Sequence, residues 1–164
     1  MTEIVNYMDL KPANVYVYMD KDDIDDLCTK LVEALIDTKS IGLSANMIGI
    51  NKRAIIVGNW QDPKSYLPMF NPRIVSRSQD IVEVDDVCPL FGNKPIPVKR
   101  AKEIRVRFTL PTGETMTNVF GGTTAAVIQR AIEALDGETI KSKVNRYSFE
   151  QAMKKGVDIV KADS

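Results

Sequence analysis

The sequence predicts an α+β fold, with antiparallel sheet packed around one central helix, and three observations carry that prediction. The stretch "EIRVRFT" (103–109) alternates apolar and polar residues, the period of an antiparallel strand with one solvated face. The stretch "AAVIQRAIEAL" (125–135) places apolar residues at helical spacing, with Gly137 just beyond it as a stop signal. The extended segments follow one another before that helix instead of alternating with helices, an order that favours α+β over βαβ units. With 164 residues and no repeat or linker, residues 1–164 are expected to form a single domain.

Each element has its own signal. An N-terminal helix is expected at about 22–37, where Ile24, Leu27, Cys28, Leu31, Leu35 and Ile36 form an apolar stripe. The acids from Asp20 to Asp26 supply its cap and complement its dipole. Cys28, on that stripe, reads as a small core residue. The loop "GLSANMIGINKR" (42–53) leads into a buried strand, "RAIIVG". "YLPMFNPRIVSRS" and "DIVEV" read as further strands, the first confined to an edge or a bend by Pro68 and Pro72. The proline-punctuated "CPLFGNKPIPVKR" connects these to "EIRVRFT", where Ile104, Val106 and Phe108 should face inward and Glu103, Arg105 and Arg107 outward. "LPTGE" is a hairpin turn into "TMTNVF". Gly121 and Gly122 form a loop, Thr123 or Thr124 caps the central helix, and Val127, Ile128, Ile132 and Leu135 mark it for burial. Ser148 and Gln151 are spaced as a capping box for a short C-terminal helix.

Composition excludes several functions. Lys+Arg and Asp+Glu are equal at 22 each, so no net field draws the chain to nucleic acid. No apolar run approaches the ~20 residues that span a bilayer, so a cytoplasmic protein without a membrane partner is expected. Two cysteines give no disulfide framework. The chain contains no histidine, which removes Ser-His-Asp and Cys-His nucleophile pairs and any metal site that needs imidazole. No cofactor is expected. Gly121 and Gly122 are not followed by the Lys-Ser/Thr of a phosphate loop.

Three segments, "SIGLSANM" (40–47), "DVCPL" (86–90) and "QRAIEALDG" (129–137), stand in an order and spacing that resemble the peptide deformylases, metalloenzymes that remove the formyl group from new N-terminal methionines. The corresponding family stretches are G-x-G-x-A-A-x-Q, E-G-C-L-S and Q-H-E-x-x-H-L-D-G, and the flanking segments agree as well. The resemblance implies the family fold. It also implies a site that departs from the family pattern. Cys88 takes the place of the cysteine ligand, but Arg130 and Ala134 stand where the two histidine ligands would be, and Ala131 where the proton-shuttling Glu would be. Glu133 is roughly 160° around the helix from Ala131 and does not replace it. The two oxyanion donors of the family fall on Met47, which has no amide, and Pro89, which has no N–H.

On this resemblance we expect no catalytic and no metal residues, Cys88 being the one ligand-type residue left. We expect a catalytically inactive homologue that acts as a binding or assembly module for a protein or peptide, such as a bacteriophage structural or host-interaction protein in the host cytoplasm or virion. Its peptide cleft would be lined by Gly42, Leu43, Ser44, Ala45, Met47, Leu90 and Phe91. The alternative is a hydrolase with residual deformylase activity or Cys88-dependent chemistry. Arg130 either plugs the metal cavity, paired with Asp85, Asp86 or Cys88, or snorkels to solvent. Oligomeric state is left open.

Overall fold

The computed structural model describes residues 2–163, with side chains described for 2–154. Helix α1 (Lys21–Asp37) starts where the Asp20 carboxylate accepts the backbone N–H groups of Asp22 and Asp23. Its buried residues are Ile24, Leu27, Leu31, Ala34 and Leu35. Ile36, expected on this stripe, is 44% exposed, because Ala34 and Leu35 already fill the inner side of the last turn.

Five strands form the main sheet: β1 (Gly42–Ser44), β2 (Ala54–Val57), β3 (Leu67–Arg77), β6 (Glu103–Thr109) and β7 (Thr115–Gly121), antiparallel and in that spatial order. A separate ribbon pairs β4 (Ile81–Val87) with β5 (Pro95–Ala101). Strand β2 is buried throughout, which explains its unbroken apolar run "AIIV". Ile56 joins a core with Ile24, Leu31 and Leu35 of α1, while Ile55 and Val57 join a second core with Val127, Ile128 and Leu135 of α2 (Gly122–Leu135). The sheet therefore lies between the two helices. Ile104, Val106 and Phe108 face the α2 side, as their alternation predicts.

Four expectations need correction. First, of the edge or bend expected from Pro68 and Pro72, the edge is not found: β3 is an interior strand, between β2 and β6. It is paired with β2 over residues 67–70 and with β6 over 70–77, so Pro68 lies where only one flank is paired. Pro72 falls in the register shift between Phe70 and Arg73, next to Asn71 at φ 51. Second, β5 was not foreseen. Its two prolines are tolerated because a two-stranded ribbon leaves each strand one free flank. Third, α2 begins at Gly122 (φ 59) directly after β7, and neither Thr123 nor Thr124 caps it. Fourth, the last helix, α3 (Arg146–Asp163), is longer than expected, and its first turn is capped by Asn145, which accepts the Ser148 N–H at 2.7 Å. The side chains of the tail cations Lys155 and Lys161 lie outside the described residues. Among the described residues, no helix is long and apolar enough to cross a membrane.

Two contacts tie the chain's outer segments to this frame. The Asn71 amide accepts the Val17 N–H at 2.8 Å and donates to the Val17 carbonyl at 3.0 Å, holding the N-terminal segment on the β3 bulge. Farther along, the ring of Phe91 lies 4.9 Å from Tyr7 and 5.4 Å from Phe149 of α3, in tilted and edge-on arrangements. Substituting Asn71→Ala removes both amide bonds and places a Cβ residue without compensation in left-handed backbone, so urea unfolding should show a loss of about 2–4 kcal/mol. Asn71→Gly, which relieves the backbone part, should lose less.

Candidate active site

The site begins with a parity choice on β4. Asp85 and Asp86 are adjacent, so they point to opposite faces of the strand; Asp85 is exposed and Asp86 buried. The buried carboxylate then needs partners, and two guanidiniums supply them. Arg130 of α2 donates from Nε to Asp86 Oδ1 at 3.0 Å. Arg100 of β5 donates to Asp86 Oδ2 from Nε at 3.2 Å and from Nη2 at 2.8 Å. Arg100 also pairs through Nη1 with Glu133 of α2, and Glu133 is bridged by Lys143 at 3.2 Å, which in turn reaches Glu138. The three cations Arg100, Arg130 and Lys143 thus balance the three carboxylates of Asp86, Glu133 and Glu138. Such a cluster is tolerable inside a protein only because every charge is matched and hydrogen-bonded.

Arg130 continues inward. Its Nη1 donates to Cys88 Sγ at 3.5 Å and its Nη2 to the Gly42 carbonyl at 3.1 Å. Of the two placements open to it, Arg130 takes the inward one, paired with Asp86 and Cys88 and not with Asp85; it is 3% exposed. Gly42 is required by the close approach of α2 to β1: a Cβ there would come within 2.2 Å of Val127 Cγ1. Cys88 caps a one-turn helix at Pro89–Phe91, and its carbonyl accepts the N–H groups of Phe91 and Asn93. Burial pushes the Cys88 thiol above its ordinary value of 9.0, and Arg130 pulls it only partly back. Burial also opposes the charge on Arg130, but the Asp86 carboxylate favours it, and the guanidinium stays above its ordinary range. The centre is therefore a neutral thiol facing a fixed cation.

The structure brings Gly42, Cys88 and Arg130 together and places the other sequence-derived positions around them. Met47, Leu90, Phe91 and Ala134 share a buried core with Cys88. Ala131 turns to the other core, with Ile55 and Met69. Ala134 contributes its carbonyl, which accepts the Asn46 amide at 2.6 Å. The residues expected to line an open peptide cleft, Gly42, Leu43, Ser44, Ala45, Met47, Leu90 and Phe91, are all buried, because α2 packs on β1 and the Cys88 turn closes over them. Arg100, Glu133 and Lys143 were not foreseen as members of the site. Arg100 had a signal in the inward alternation Ile96, Val98, Arg100, where a cation stands at a core position.

The residues present do not fit a divalent metal. A catalytic site of the zinc type needs three protein ligands around one open position. Here the centre offers one sulfur, with a guanidinium donating to it and holding the space beside it. Among the described residues, no group of three or more His, Cys, Asp or Glu is arranged to hold a metal ion.

The antiparallel sheets and the central helix define an α+β protein of the deformylase architecture. A family model described as polypeptide deformylase matches residues 1–150, and the chain belongs to that family. A peptide deformylase of Synechocystis is 29% identical over 148 residues, covering 88% of this chain and 79% of that protein. The crystal structure of a peptide deformylase from Legionella pneumophila superposes with a TM-score of 0.85 at 21% identity, covering 99% of this chain and 97% of that one. One from Synechococcus elongatus, in complex with actinonin, gives 0.84 at 23% identity, covering 94% of this chain and 86% of that one.

These findings correct three expectations. A catalytically inactive binding or assembly module is overturned by the family match and by a relative that carries an enzyme's name. The expectation that the chain is not an enzyme falls with it. The bacteriophage assignment is likewise displaced, since the Synechocystis relative is a bacterial protein. The hydrolase alternative is the better supported reading.

The site yields two predictions. Asp86→Asn leaves two buried guanidiniums short of a counter-charge and should cost about 3–5 kcal/mol in urea unfolding, whereas Asp85→Asn, on the exposed face, should stay within about 0.5 kcal/mol of wild type. The Cys88 thiol, held above 9.0 in the folded chain, contributes stability that is complete below that pH and declines as pH rises through it toward the folded value. Wild type should therefore lose stability more steeply than Cys88→Ala in unfolding titrations carried across that pH.

Proposed function

We propose that this protein is a hydrolase of the peptide deformylase class, releasing formate from N-formylated peptide ends at a residual rate. The observation that carries the reading is membership of the family over residues 1–150. The deformylase relatives, matched along most of their length, support it further. A cytoplasmic place of work belongs to the same reading.

The residues at the centre set the character of this activity. Removal of one oxyanion donor typically costs ~10²–10³ in rate, and both family donor positions, Met47 and Pro89, lack a donor group. The cation facing Cys88 is Arg130, so polarisation of the formyl carbonyl falls to the N–H groups that its guanidinium has left after Asp86, Cys88 and Gly42. No step is routed through a metal ion. Cys88 is not the nucleophile in this reading: it is 1% exposed, burial holds its thiol neutral, and Arg130 covers it.

The test is formate release from a formyl-methionyl peptide, with chelator present to silence any contaminating metalloenzyme. Wild type should release formate slowly but above the protein-free rate, and Cys88→Ala should retain that release. Formate no faster than in buffer alone would overturn the proposal, and loss of release in Cys88→Ala would overturn the role given to that residue.

A further inference from the structure

We propose that the centre of this chain is built around an organic cation in place of a metal ion: the Arg130 guanidinium is its permanent occupant, and the space it fills is a site for guanidinium-type cations. The inference rests on the geometry of the centre and not on the deformylase reading, and its measurements are metal content and thermal stability, not turnover.

Three surrounding groups are arranged for a planar, hydrogen-bond-donating cation. Asp86 Oδ1, Cys88 Sγ and the Gly42 carbonyl oxygen lie at 3.0, 3.5 and 3.1 Å from three different nitrogens of one guanidinium. They come from β4, the turn after it and β1, so the main sheet, the ribbon and α2 all meet at this cation. The acceptors are themselves fixed. Asp86 is held from its other oxygen by Arg100, and Gly42 cannot move outward without changing its pairing with Val57. Cys88 is fixed by the two N–H groups that its carbonyl accepts. A divalent metal meets the opposite conditions here. It would find one sulfur beside a carboxylate already shared by two guanidiniums, and it would have to displace a cation already compensated by Asp86. A guanidinium is weakly hydrated and directional, which suits it to a dry pocket lined by one carboxylate and one carbonyl. Truncating Arg130 leaves those acceptors in place around a cavity of the side chain's own shape.

The experiment compares wild type, Arg130→Ala and Arg130→Lys. Wild type purified with excess Zn²⁺, Ni²⁺ or Co²⁺ and then desalted should carry no stoichiometric metal, and with Co²⁺ it should show no thiolate-to-metal absorption. Arg130→Ala should melt lower than wild type. Low-millimolar guanidinium chloride or ethylguanidinium should raise its midpoint by several degrees, while equal concentrations of urea or sodium chloride should not, and wild type should not be raised by any of the four. Should Arg130→Ala fail to fold, refolding it with ethylguanidinium should yield soluble protein where refolding with urea at the same concentration does not. Arg130→Lys, which keeps a cation but not the three-directional donor set, should melt between wild type and Arg130→Ala and gain nothing from guanidinium. Stoichiometric metal on wild type would overturn the proposal. So would an Arg130→Ala chain that guanidinium neither stabilises nor helps to fold, or an Arg130→Lys chain that it stabilises equally.

Discussion

The arrangement of this protein depends on one buried carboxylate. Asp86 accepts from Arg130 on one oxygen and from Arg100 on the other, and those two arginines belong to the central helix and to the small ribbon. Without it, both guanidiniums would be inside the protein with too little negative charge to compensate them, and a buried unpaired charge is among the most expensive defects a fold can contain. The apolar cores on either side of the main sheet supply the bulk of the burial. They also hold the ribbon against α2, through Ile96, Val98 and Ala101. Directional bonds fix that relation further, between Asp86 and Arg130, between Arg100 and Glu133, and between Gln129 and the Ala101 backbone.

Much of the fold was legible because its signals were local. The alternation of Ile104, Val106 and Phe108 is unambiguous, as are the Asp20 cap and the apolar run of β2. What was not legible depended on partners distant in the chain. Pro68 and Pro72 argue for an edge strand or a bend when read alone, and only the change of partner at Phe70 and the register shift after it reveal why an interior strand accepts them. β5 was hidden by its two prolines and by Arg100, a cation at an inward position that makes sense only once Asp86 and Glu133 are seen beside it.

The site divides in the same way. The positions Cys88 and Arg130 could be found from motif order, because spacing in sequence carries over to place in the fold. Which of Asp85 and Asp86 turns inward could not, since neighbouring residues on a strand face opposite ways and the ribbon's register decides between them. Whether Arg130 points to solvent or to the centre was equally undetermined, because a long side chain on a helix can do either. The family match settles the class of protein, while the side chains at its centre give that class an unfamiliar electrostatic interior.

The aromatic contacts around Phe91 give this centre a mechanical dimension. Phe91 stands at the end of the turn that Cys88 begins, and its ring is clasped between Tyr7 and Phe149. The segments before α1 and after α2 are far apart along the backbone, yet each presses on the same ring, three residues from the sulfur. The turn is therefore positioned from outside as much as from its own hydrogen bonds. A push on α3 would arrive at Cys88 through one ring-to-ring contact, without having to travel through the sheet.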